Sequence, residues 1–141
     1  MGAEAEKIEE RLRSFLSARA EAEGLAAAYL FGSVARGTAR PESDIDVGVL
    51  YRDDPPASLE GLPVRLEADL AKLLHRPVQV VVLNRAPVDL VQRVLQHGKL
   101  LLDRDSFRRI RFEVRTRQEF WDLEPYLRQY RRMGGGDRDR S

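Results

Sequence analysis

The chain has no cysteine, so neither a disulfide framework nor a thiolate metal site is open to it. Any metal must then sit on oxygen or on one of the two histidines, His75 and His97, which makes hard, oxygen-loving magnesium the natural candidate. No apolar run approaches the ~20 residues that span a bilayer. The start, Met1 to Arg13, is acidic and helical rather than a basic leader with an apolar core, so a cytoplasmic protein without a membrane partner is expected. Lysine is scarce as well: Lys7, Lys72 and Lys99 are the only three, and every other cation is arginine. What the chain does have is a mixture of 43% hydrophobic and 33% charged residues over 141 positions. That mixture suits a buried core under a charged surface, and the length suits one domain.

The net charge of +1 conceals an asymmetry. Residues 1–103 carry 13 basic and 16 acidic groups, whereas residues 104–141 carry 11 basic and 7 acidic. A surplus of four charges over a helix and tail reads as a solvated face, so nucleic acid is not the expected partner.

Along the chain, Ile8, Leu12, Phe15 and Leu16 recur at three- and four-residue spacing and predict an amphipathic helix ending at Gly24. Leu25 to Phe31 is a short apolar run stopped by Gly32 and suits a buried strand. Gly32 to Pro41 is polar and turn-rich, after which Asp44 to Leu50 alternates like a strand emerging at a sheet edge. Leu62 to Leu74 predicts a helix ended by Pro77, and the β-branched run Val78 to Leu83 predicts another central strand. Pro87 opens a helix that stops at Gly98, and Leu100 to Leu102 suits a brief edge strand. From Ser106 a long helix is expected, kinked or interrupted near Pro125, with Phe107, Ile110, Val114 and Trp121 packed on the domain and the arginines outward. The expected organisation is one domain over 1–132, with a core at 25–103, a helical extension at 104–132, and a disordered tail at 133–141.

One constellation carries chemistry. Gly32 lets the backbone turn tightly after a strand, the amides that follow can face phosphate oxygens, and the Ser33 hydroxyl adds a donor. Asp44 and Asp46 alternate along the next strand and so project from one face, about 6–7 Å apart at Cα, where two carboxylates can hold a hard cation.

Gly32-Ser33-Val34-Ala35-Arg36-Gly37, followed by Ser43-Asp44-Ile45-Asp46-Val47, resembles the signature of the polymerase-β-like nucleotidyltransferases in their minimal, MNT form. The resemblance spans about residues 5–103. It implies an α/β fold, a small mixed β-sheet flanked by helices with a C-terminal helix. Gly32 and Ser33 would contact the triphosphate of ATP, with Arg36 and Ser43 beside them, and Asp44 and Asp46 would hold magnesium. The reaction would be transfer of AMP to a hydroxyl. Family members usually carry a third carboxylate on the later strand, where this chain has Gln79, a neutral amide that cannot take a proton at neutral pH. The resemblance extends to MNT antitoxins paired with HEPN toxins, and it implies a HEPN-type toxin partner, modified on tyrosine, within a homo- or hetero-oligomer. Two alternatives stand beside this reading: a degenerate site that neutralises its partner by binding alone, and transfer to a small molecule such as an aminoglycoside.

Each candidate also has a plainer reading. Asp44 and Asp46 could merely keep a strand edge soluble, and Arg36 could merely cover its helix. Ser43 fits a turn better than a nucleophile, and His75 and His97 stand at helix ends where imidazoles meet terminal carbonyls. Trp121, Tyr126 and Tyr130 could form a partner face, yet helical spacing favours packing on their own domain. Arg108, Arg109, Arg111, Arg115 and Arg117 read as a solvated face, or more sharply as a docking surface for an acidic partner. Should Gln79 not occupy the third-carboxylate position, Asp69 is the alternative base.

Overall fold

The computed structural model describes residues 2–38, 40, 43–55 and 63–132. Helix α1 (Gly2–Glu23) leads into strand β1 (Leu25–Phe31), a single turn of helix α2 (Gly32–Arg36) and strand β2 (Ile45–Tyr51). Helix α3 (Val64–Leu74), strand β3 (Val78–Val82), a 3-10 turn at Leu83–Arg85, helix α4 (Val88–His97), strand β4 (Lys99–Asp103) and helix α5 (Ser106–Arg132) follow. The residues expected to form a tail, 133–141, lie outside the described residues.

The four strands make one mixed sheet in the order β3-β2-β1-β4. β1 is antiparallel to both β2 and β4, and β2 is parallel to β3. A parallel neighbour requires a crossover, and α3 supplies it. Strand β3 was expected in the middle of the sheet, but it lies at an edge. Its β-branched run is buried by a helix on one face, not by strands on both sides. Glu67 of α3 accepts the Val80 backbone N–H at 2.8 Å, a donor that the edge would otherwise leave open.

Alternation along the strands divides the core in two. Ile45, Val47 and Val49 of β2, with Val78 and Val80 of β3, meet Ile8, Leu12 and Leu16 of α1 and Leu66 and Leu70 of α3. The other face carries Tyr29, Leu50 and Leu83 against Val91 and Val94 of α4 and Phe112 of α5. Leu12 and Leu16 are fully buried, and truncating either to alanine costs roughly 2–5 kcal/mol in such a setting.

The last helix is not interrupted at Pro125, which lies within it on an exposed turn. Its faces are also reversed from those expected: Phe107 is 74% exposed, Ile110 50%, Val114 48% and Trp121 71%, while Phe112 and Thr116 are buried. Tyr126 and Tyr130 are exposed too. A polar network decides the orientation. The Tyr29 hydroxyl donates to Glu113 at 2.7 Å, and Arg109 pairs with Glu113 at 2.9 Å and with Asp103 at 3.1 Å. Arg109 and Arg108 therefore turn inward, contrary to a fully solvated arginine face.

Candidate nucleotide and metal site

The site forms where β1 ends and β2 begins. Phe31, the last residue of β1, pairs with Asp46 of β2, so Gly32 opens α2 directly beside that aspartate. Gly32 has φ +77, and a Cβ on it would overlap the Asp46 Oδ2 and lie 3.2 Å from the carboxyl carbon. Only glycine leaves room for the carboxylate and adopts this backbone without strain. Ser33 follows in the same turn, and α2 closes at Gly37, whose N–H reaches the Val34 carbonyl at 3.2 Å.

Asp44 is exposed just ahead of β2 and Asp46 is half-buried within it. Burial pushes the Asp46 carboxyl above its ordinary value, the neighbouring Asp44 charge adds to this, and Arg36 opposes it. Asp46 is thus an incompletely compensated carboxylate, the condition a bound cation relieves. Gln79 is the direct partner of Asp46 in the parallel β2–β3 register and is exposed. Val78 and Val80 belong to the opposite core, so Gln79 shares the face of Asp46, as strand alternation predicts. Among the described residues no cluster of three or more His, Asp or Glu side chains is placed to hold a metal. Asp69 is excluded as a substitute: α3 packs on the face opposite Asp46, and Asp69 is held by Arg19 at 2.8 Å.

Ser43 occupies a turn. Its hydroxyl accepts the Arg40 N–H at 2.9 Å, and its own N–H reaches the Arg40 carbonyl at 2.9 Å. His75 caps α3 with φ 53, and His97 ends α4. One contributor escaped sequence reasoning. The Arg76 guanidinium donates to the Ser43 carbonyl at 2.7 Å and the Arg40 carbonyl at 3.2 Å, clamping the approach to Asp44. Its one sequence signal was its place just before Pro77, whose carbonyl accepts the Ile45 N–H at 3.0 Å.

A glycine-opened turn against the Asp46 carboxylate on a mixed sheet is the arrangement expected of a nucleotidyltransferase. Residues 10–107 match the sequence model of the polymerase beta nucleotidyltransferase family, and the chain belongs to that family. No curated protein gave a significant match. Among solved structures, the chain is similar to one in a toxin–antitoxin structure with AMP-PNP, at 27% identity and TM-score 0.69, covering 92% of this chain and 98% of that one. It is also similar to one in a structure of a tri-AMPylated Shewanella oneidensis HEPN toxin with an MNT antitoxin, at 26% identity and TM-score 0.66, covering 97% and 99%. A third likeness, to a protein described as a minimal nucleotidyltransferase, has 30% identity and TM-score 0.55 and covers 67% of this chain and 92% of that one.

Proposed function

We propose that the protein is an antitoxin of the nucleotidyltransferase type that binds magnesium-ATP and transfers AMP to a hydroxyl, a tyrosine, of a partner HEPN toxin. The observation that carries this reading is the Gly32–Asp46 approach, in which the missing side chain of one residue makes space for the carboxylate of the other. It is supported by similarity over nearly the whole chain to a protein solved with AMP-PNP and to an antitoxin solved with an AMPylated toxin.

The residues present fit magnesium, since Asp44 and the half-buried Asp46 offer hard oxygen donors and Asp46 lacks a full counter-charge. The amides and hydroxyl at Gly32 and Ser33 orient the triphosphate, Arg36 adds positive charge beside it, and Ser43 with Arg76 holds the loop that presents Asp44. When bound, magnesium neutralises triphosphate charge and eases departure of pyrophosphate. The acceptor oxygen bonds to the α-phosphorus, the bond to the pyrophosphate oxygen breaks, and the hydroxyl proton passes to water because Gln79 cannot receive it. Positioning of the acceptor therefore does most of the work.

The second reading, neutralisation by binding with little or no transfer, is favoured by Gln79 standing opposite Asp46 in the β2–β3 register. Mass spectrometry of the HEPN protein after incubation with this protein, magnesium and ATP separates the two. A gain of one AMP on tyrosine that is lost in Asp46→Asn supports transfer. A stable complex without added mass supports binding alone.

A further inference from the structure

We propose that the outward face of α5, built on Phe107, Ile110, Val114 and Trp121, is the surface on which the toxin partner docks. It fits a protein patch that is apolar at its centre and acidic at its edge. This inference rests on the proposed function for the partner's identity and adds where that partner sits.

Scattered exposed apolar residues need no explanation, but these four fall within an arc of about 60° on the helix. Each is about half exposed or more. The stripe is not the loose side of an undocked helix. The opposite face is anchored by buried Phe112 and Thr116 and by the Tyr29–Glu113–Arg109–Asp103 network, which fixes what α5 turns outward.

Charge narrows the occupant. Arg111 and Arg115 flank the stripe on one side and Arg117 on the other. Of the acids nearby, Glu113 engages Tyr29 and Arg109, Glu119 lies 3.8 Å from Arg115, and Asp122 is exposed next to Trp121. A second copy packing helix against helix brings arginine against arginine, which disfavours self-association, whereas an acidic rim on another protein complements it. Beside the stripe, Arg52, Arg108, Arg111 and Arg115 line a cleft of about 440 Å³ in which Asp53 and Asp54 are the acids among the described residues. It is placed to receive carboxylates at the margin of such a patch.

The family match ends at residue 107, as α5 begins. The chains from toxin–antitoxin structures cover 92% to 97% of this chain. What this protein has beyond the transferase core is matched in chains solved with a toxin.

The test is complex formation with a HEPN toxin, the class of partner proposed above, followed by calorimetry and size-exclusion chromatography. Trp121→Ser and Val114→Glu should each weaken the complex 100-fold or more, and Arg111→Glu with Arg115→Glu should weaken it and flatten its salt dependence. All should keep native melting temperature and magnesium-ATP affinity, while Asp46→Asn should bind the partner normally. If the stripe variants bind as tightly as native protein, the docking surface is wrong and the proposed function stands. If native protein binds no HEPN partner, both fall. If the variants change a native dimer into monomers and leave partner binding intact, the occupant is a second copy and the proposal is overturned.

Discussion

Replacing Gly32 by alanine tests the site through a single added methyl group. Two costs follow from the structure, and they can be separated. The first is the backbone: at φ +77 an L-residue pays about 1–2 kcal/mol for the left-handed conformation, or roughly 4–8 °C of melting temperature at about 4 °C per kcal/mol. Gly24 has nearly the same φ, +74, with nothing within 4 Å of a Cβ placed there, so Gly24→Ala measures that cost alone. The second cost belongs to Gly32 only, because its new Cβ overlaps the Asp46 Oδ2 and the carboxylate must swing aside. Magnesium demands near-ideal octahedral oxygen positions, and disturbing groups that orient metal ligands typically costs 10–100-fold in affinity. Gly32→Ala should therefore match Gly24→Ala in its backbone loss and also weaken magnesium-ATP binding at least 10-fold. Differential scanning fluorimetry and isothermal titration calorimetry on both variants provide the readouts. Native magnesium-ATP affinity in Gly32→Ala would refute the reasoning, since the approach to Asp46 would then play no part in the site.

Asp46→Asn should raise the melting temperature of the metal-free protein at pH 7. Burial and Asp44 lift the folded-state pKa above the ordinary 3.8, so the ionised form opposes folding above the raised value and ceases to do so as pH falls through it. The gain should shrink as pH falls through the raised folded-state value toward the ordinary one, and a gain that grows on acidification contradicts the assignment. Gln79→Asp should speed AMP transfer to the partner by an order of magnitude or more, given the ~10²–10⁴-fold typical of a general base, while Gln79→Ala should not. An unchanged rate with magnesium-ATP still bound would remove Gln79 from the third-carboxylate position. Tyr29→Phe should cost roughly 1.5–3 kcal/mol in chemical denaturation, because it deletes a buried hydrogen bond to a charged acceptor; a loss below 0.5 kcal/mol would mean that the network does not hold α5.

Much of the architecture was legible because it rests on local signals. Gly24, Gly32 and Gly98 mark real ends of elements, and strand alternation puts Gln79 on the face of Asp46, as the β2–β3 register does. What was not legible depends on partners distant in the chain. The valine-rich β3 reads as central because burial by a helix and burial by strands select the same residues. Helix α5 carries apolar residues on two faces, and periodicity cannot say which one meets the sheet. Glu113 and Arg109 settle it by reaching Tyr29 and Asp103. Arg76 was invisible for the same reason: its function is to hold two carbonyls more than thirty residues away.

The Glu67 carboxylate on the Val80 amide has a consequence for how molecules of this protein can meet. A sheet edge with open donors is a template on which another strand can add, and at high concentration that leads to stacking and precipitation. At β3 the donor is already taken and a negative charge lies across the approach. A strand arriving there must first displace the helix-borne carboxylate, so growth of the sheet through that edge is discouraged from within the fold. On that side of the sheet, association is left to side chains on the helices, where recognition depends on shape and charge and not on the backbone every protein shares.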